Sequence, residues 1–300
     1  MRTRATVVLS VLAMAAFAAN SLLCRVALRE GHVDPASFGA IRIAAGALVL
    51  MLLAWLRRGR DGRDGAVRAP ILGSRSGDWR APALLFAYVA GFSFAYLTLS
   101  AGTGALILFG AVQLTMFAAG FKAGERFGPA GWTGLALALA GLVLLVLPGV
   151  TAPSPLGAVL MALAGVAWGG YSLRGRGVPD PLVASAANFA RALPLALLLP
   201  IVLAGFATRA HADMRGIVLA VVSGAITSGL GYVAWYAALR GLSSLRAAVI
   251  QLSVPVLAAC GGALWLGEPF TARLALAVAS ILGGIGLALR DRAPATSTRS

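Results

Sequence analysis

Apolar residues run along this chain in long blocks, and polar residues gather between them. Ten blocks come close to the roughly 20 residues a helix needs to cross hydrocarbon. They are 5–24, 35–56, 82–100, 103–122, 129–149, 155–173, 181–205, 215–238, 244–266 and 271–289. Several joints are very short, as at Ala101-Gly102, so successive helices are expected side by side and antiparallel. Pro35, Pro129, Pro155 and Pro181 stand at predicted first turns, where a missing N–H is harmless. The one long joint, 57–81, is rich in Arg, Gly and Asp and reads as a cytoplasmic, mobile loop.

Composition turns these blocks into membrane spans. Apolar residues make up 59% of the chain and charged ones only 12%, against about 25% charged in soluble domains. The net charge of +15 suggests nucleic acid at first sight, but no soluble basic domain exists to carry such binding. Lys122 is the only lysine, and the arginines cluster in the joints. With the N-terminus inside, the outer joints hold Arg25, Arg29, Arg209, Arg215 and Arg273, and all other joint cations fall inside. The positive-inside rule then places both termini in the cytoplasm, in a bacterial inner membrane. Arg2 and Arg4 before an apolar run also have the form of a secretory signal; the repeat described next argues that this helix belongs to the mature fold. Cys24 and Cys260 lie in apolar blocks and make no disulfide framework. His32 and His211 lie in joints without a metal-ligand cluster, so no metal or cofactor is expected.

The second half echoes the first. Ala16-Phe17-Ala18-Ala19-Asn20-Ser21-Leu22 has the form of Ala167-Trp168-Gly169-Gly170-Tyr171-Ser172-Leu173. Arg42 has a counterpart in Arg191, Tyr96 and Leu99 in Tyr236 and Leu239, and Gly141 in Gly284. Gly124-Glu125-Arg126-Phe127 matches Gly267-Glu268-Pro269-Phe270. Five spans is an odd number, so the second unit enters the membrane from the opposite side. The expected fold is an all-α polytopic membrane protein: ten transmembrane helices as two inverted five-helix repeats, 1–150 and 151–290, with a cytoplasmic tail at 291–300. Folds of this kind place a substrate site near the midplane between the repeats.

Five plus five helices, the Gly-Glu-x-Phe junctions at 124–127 and 267–270, and the arginines at 42 and 191 resemble the EamA-type branch of the drug/metabolite transporter superfamily. Within it the chain looks most like bacterial amino-acid exporters of the YddG type, which implies outward transport of aromatic amino acids. One departure concerns gating. Many members have a proline in the fourth helix, as Pro255 stands in the ninth here, but this fourth helix has Gln113-Leu114-Thr115.

No enzyme pattern survives inspection. Gly224-Ala225-Ile226-Thr227-Ser228-Gly229 lacks the Lys-Ser/Thr that a phosphate loop needs, and no histidine lies in a predicted helix to serve a hydrolase. None of the acidic residues sits mid-span, where proton-coupled carriers usually keep one. The substrate-lining candidates are Phe17, Asn20 and Ser21; Tyr88, Phe92 and Tyr96; Gln113; Trp168, Tyr171 and Ser172; Ser228, Tyr232 and Trp235; and Gln251. Arg42, Arg191, Glu125, Glu268 and Pro255 are structural or gating candidates. The plainer alternative for each amide and hydroxyl is an interhelical hydrogen bond. For Arg42, about seven residues into its helix, it is snorkelling to the interface. The partners expected are a small-molecule substrate and the lipid bilayer, with no nucleic acid. The competing functions are efflux of drugs or other metabolites, and a non-transporting scaffold.

Overall fold

The computed structural model describes residues 3–61, 78–99, 101–146, 154–204, 210–265 and 271–290. Every regular element among them is helical. The chain passes through α1 (Thr3–Arg29), α2 (Pro35–Asp61), α3 (Arg80–Ala95), α4 (Ala101–Lys122), α5 (Pro129–Val146), α6 (Pro155–Gly175) and α7 (Pro181–Ala204). It continues through α8 (Met214–Val222), a π-helical segment (Ser223–Leu230), α9 (Gly231–Leu239), α10 (Ser244–Gln251), α11 (Ser253–Trp265) and α12 (Ala272–Arg290). Among the described residues, six runs are long and apolar enough to cross a membrane: Arg4–Leu28, Pro35–Arg57, Pro155–Gly175, Pro181–Leu203, Met214–Leu239 and Ser244–Gly261. Four shorter apolar helices accompany them. Leu48, Leu114, Ile201 and Leu264 stand exposed on the outer faces, as suits a surface solvated by lipid.

Local chemistry accounts for the helix ends. Pro35, Pro129, Pro155 and Pro181 each open a helix. Before them, Asp34 accepts from the N–H groups of Ala36 and Ser37, and Asp180 from those of Leu182 and Val183. These caps satisfy N–H groups that a helix start leaves free. The second, eighth and ninth predicted spans differ in detail from expectation. The second runs on to Asp61. The eighth changes to π geometry at Ser223, a departure set by packing rather than by periodicity. The ninth breaks at Leu252, three residues before Pro255; proline has no N–H to give, and its ring disturbs the preceding turn. The third span also ends early, at Ala95, where the N–H groups of Thr98 and Leu99 both turn back to the Ala95 carbonyl. Glu268 and its Gly-Glu-x-Phe junction, much of the 57–81 joint and the 291–300 tail lie outside the described residues.

The packing has an exchange symmetry. α5 packs on α12, α2 on α7, and α4 on α10. α3 meets α6 as α1 meets α9, and α4 meets α6 as α1 meets α11. α7 lies on α3 as α2 lies on α8 and the π segment. The self-paired helices run antiparallel. Gly134 near the start of α5 touches Gly284 and Ala288, while Gly141 farther on touches Ala277 and Ile281. Likewise Arg57 at the end of α2 pairs with Asp180 at the start of α7, and Gly46 meets Phe189 midway. Small residues let these backbones approach closely. A Cβ on Gly284 would fall against the Gly134 carbonyl oxygen.

Candidate functional site

Where α1, α3, α6 and α9 converge, aromatic rings fill the seam. Trp168 of α6 is the hub. Its ring centroid lies 5.1 Å from Phe17, 5.0 Å from Tyr88, 4.8 Å from Tyr232 and 5.7 Å from Tyr171. Phe17 also meets Trp235 edge-on at 6.0 Å. Phe92 extends the row along α3, 5.5 Å from Tyr88 and 4.8 Å from Tyr96. The four-residue step from Tyr88 to Phe92 to Tyr96 aligns these rings on one helix face.

Most buried polar ends in this cluster have a defined partner, as burial favours; Tyr171 Oη, Gln113 Oε1 and Arg42 Nη1 have none among the described residues. Trp168 Nε1 donates to Gln251 Oε1 at 2.7 Å, and Trp235 Nε1 donates to Ser172 Oγ at 3.0 Å. Tyr236 Oη donates to the Tyr171 carbonyl at 3.1 Å. Gln113 Nε2 donates to the Ala248 carbonyl at 2.8 Å, tying α4 to α10. Asn20 Oδ1 accepts from Ser223 Oγ at 2.6 Å and Thr227 Oγ1 at 3.2 Å, both on the π segment. Arg42 Nε donates to Ser228 Oγ at 2.8 Å, and its Nη2 donates to Tyr232 Oη at 2.7 Å.

The structure thus brings together most of the sequence-predicted lining residues, with Arg42 among them. Ser21 stands apart, bonded back to the Phe17 carbonyl of its own helix. Arg191 is not the positional partner of Arg42. Counted from the matching caps Asp34 and Asp180, the position of Arg42 falls on Asn188, and Arg191 lies one turn beyond. Arg42 is fully buried, whereas Arg191 is only half-buried. The midplane cavity expected between the halves is closed here by the rings themselves: Tyr171, Tyr232 and Trp235 are buried and Trp168 nearly so. Sequence reasoning passed over Ser223 and Thr227, whose spacing of four on an apolar helix was the available signal.

Polar ties close the bundle at both ends. At one end, Val33 pairs with Ala212 as an isolated antiparallel bridge. Asp34 N–H donates to the His211 carbonyl and Asp213 N–H to the His32 carbonyl. The His32 ring sits between Asp213 at 2.6 Å and Glu30 at 3.0 Å, and Arg215 pairs with Glu30. Hydrogen bonds to Asp213 and then Glu30 raise the His32 pKa above its ordinary value.

At the other end, Gly124 takes a φ of +78° after α4. Gly124 N–H bonds the Phe121 carbonyl and Glu125 N–H the Gly120 carbonyl, which is a Schellman stop. That turn aims Glu125 across the seam, where its carboxylate accepts from the N–H groups of Ser244 and Leu245 at 2.9 Å each. Arg176 Nη1 adds a contact to Glu125 Oε1 at 3.3 Å. Burial pushes the Glu125 carboxyl upward, but the Leu245 and Ser244 N–H groups and Arg176 outweigh it and hold the pKa below 4.5. Phe127 anchors the junction, with its ring 6.1 Å from Phe117 and 5.9 Å from Trp132.

The sequence profile of the EamA-like transporter family matches residues 4–147 and again 155–290. Uncharacterized protein PA1977 of Pseudomonas aeruginosa is 52% identical over 292 residues, covering 97% of each chain. A solved crystal structure, 20% identical, superposes with a TM-score of 0.78 over 96% of this chain and 98% of its own; it carries the likeness of fold.

Proposed function

The chain belongs to the EamA-like transporter family, and from that premise we propose that it exports small organic solutes from the cytoplasm across the bacterial inner membrane. Amino acids with aromatic or large apolar side chains are the foremost candidates. One observation carries this reading. A cluster of rings with polar groups at its edges, drawn from α1, α3, α6 and α9, lies at the seam where the two halves meet. Rings offer an apolar side chain a matching wall, and the amides and hydroxyls beside them suit an amino acid's polar end.

We read residues 1–150 and 151–290 as inverted repeats of five crossings each, with both termini cytoplasmic. Support comes from the exchange symmetry of the packing and from the family profile matching once in each half. The antiparallel run of α5 against α12 adds to it. A twofold axis lying across the helices sets equivalent helices antiparallel, whereas an axis along them sets them parallel. Repeats of this kind alternate access by rocking about a fixed site. In this scheme the 30–34 and 211–215 tie closes the outer side and the Glu125 tie closes the inner side, so the described state is shut at both ends.

The test is flux in proteoliposomes, with radiolabelled phenylalanine, leucine and cationic drugs compared. Amino-acid flux dependent on Trp168 and Gln251 supports the reading. Drug flux without amino-acid flux replaces the substrate class. Cysteines placed at 20, 113, 171 and 251 should react with a thiol reagent from at least one side during turnover. If none reacts from either side, the halves do not part and alternating access is wrong.

A further inference from the structure

Arg42 is a fully buried cation with no anion beside it among the described residues. Two of its nitrogens are engaged by hydroxyls, Nε by Ser228 and Nη2 by Tyr232. Its charge centre lies 5.4 Å from the Tyr88 ring centroid. The third nitrogen, Nη1, is buried and has no hydrogen-bond partner among the described residues. Ion pairs among those residues sit at the helix ends, and none includes Arg42. Asp34, the cap residue just before its helix, is eight positions away, roughly 12 Å along the axis. That carboxylate already caps α2 and takes the His211 N–H. Hydroxyls and a ring face contribute dipoles but no countercharge, so the guanidinium carries a desolvation cost that only an anion fully offsets.

The surface facing Arg42 is itself unusual. Ser228 belongs to the eight-residue π segment Ser223–Leu230, a geometry that is rare and concentrated at functional sites. Gly224 of that segment lies on the Arg42 backbone, where a Cβ would fall against the Arg42 carbonyl oxygen. Asn20 holds Ser223 and Thr227 from the other side. Two helices of the first half therefore brace the widened turn of the second. Tyr232, just beyond it, joins the braced turn to the Trp168 cluster.

We propose that Arg42 is the anion anchor of the transport site. A compact organic molecule bearing one carboxylate docks that group on the free Nη1 edge, and its apolar remainder lies against Phe17, Trp168 and Tyr232. A single buried positive charge balances one carboxylate and leaves a dianionic phosphate half-compensated, which favours carboxylates. Phe17 and Tyr96 are the partly exposed rings of the cluster, and Phe17 is the one that lies against both Trp168 and Tyr232, so the ligand enters past it. This inference rests on the transport reading above and adds the chemical class the site requires.

The test uses four related probes on the purified full chain in lipid vesicles: phenylalanine, 3-phenylpropionate, phenylalaninamide and phenethylamine. Binding is read from tryptophan fluorescence, since Trp168 and Trp235 line the site, and flux is measured in parallel. Both carboxylates should bind about tenfold or more tightly than the amide and the amine, the scale of one charge-assisted hydrogen bond. Arg42→Gln should erase that preference, and Arg42→Lys should keep part of it. Should Arg42→Gln fail to fold, the probe series on wild type and Arg42→Lys still decides. Equal binding of phenylalanine and its amide overturns the anchor while leaving transport standing. Undiminished carboxylate preference in Arg42→Gln does the same. Neither binding nor flux of any probe overturns both the aromatic-substrate reading and the anchor.

Discussion

Replacing Glu125 should unfasten one end of the bundle by a predictable amount. Its carboxylate accepts two N–H groups at the start of α10, each at 2.9 Å, and meets Arg176 at 3.3 Å. Ser244 and Leu245 are buried, so water is poorly placed to replace the lost acceptor. A hydrogen bond to a charged group is worth about 1.5–3 kcal/mol, and an unsatisfied buried donor costs about 1–3 kcal/mol. A negative charge at a helix N-terminus adds about 0.3–1 kcal/mol. Glu125→Ala should therefore cost about 2–4 kcal/mol. Glu125→Gln, which keeps one acceptor and loses the charge, should cost about 1–2 kcal/mol. Thermal melting of the purified protein in detergent measures both. The pH dependence supplies a second check. Because the folded carboxyl titrates below 4.5, its contribution is complete above that value and fades as pH falls through the lowered pKa. The gap between wild type and Glu125→Gln should accordingly close in acid. A Glu125→Ala protein that melts with wild type at neutral pH would falsify the tie. A gap that persists unchanged at about pH 3 would show that the carboxylate's charge is not what holds it.

Three further outcomes follow from the packing. Gly284→Ala should lower the melting temperature, by the equivalent of about 1–3 kcal/mol, because its Cβ meets Gly134. Gly283→Ala next door meets nothing within 4 Å and should cost little, so equal effects would refute the α5–α12 crossing. Asn20→Leu strands the Ser223 hydroxyl and should cost about 1–3 kcal/mol. Adding Ser223→Ala should recover part of that, and strict additivity would show the two are not coupled. At the opposite end, the His32 pKa is raised above 6.5 and that of Asp213 lowered below 3.8, by the Gly216 N–H first and then His32. The His32 contribution is complete below 6.5 and lost as pH rises through the raised value. The Asp213 contribution is lost as pH falls below 3.8. Corrected hydrogen exchange across 30–34 and 211–215 should be slower at about pH 5 than at about pH 9, and His32→Gln should remove the difference. Identical rates at both pH values in wild type would exclude the latch.

What could be read from the sequence was whatever depends on neighbours along the chain. Apolar run length, prolines at first turns, acidic caps and the twofold echo of motifs are local or one-dimensional properties, because hydrocarbon demands only that each helix satisfy its own backbone. Those features named the family and marked most of the residues whose rings and polar groups meet at the seam. Asn20 and Trp168 stood out as polar groups in apolar blocks, and that alone marked them. Their partners did not show. The acceptor for Trp168 is Gln251, and Arg42 finds its hydroxyls on Ser228 and Tyr232, in the other half of the chain. The π geometry at Ser223–Leu230 leaves no trace in periodicity, since it arises where Asn20 and Arg42 brace one turn from two sides. Nor could spacing tell that Asn188, not Arg191, stands at the position of Arg42, because a slip of one turn keeps a helical face. Glu125 stood out as a structural or gating candidate, but its partners across the seam, the Ser244 and Leu245 N–H groups, followed only from where the Gly124 turn aims it. Tertiary structure alone decided whether the gap between the halves was open or filled, since ring packing depends on how two helical layers dock, and no residue carries that information by itself.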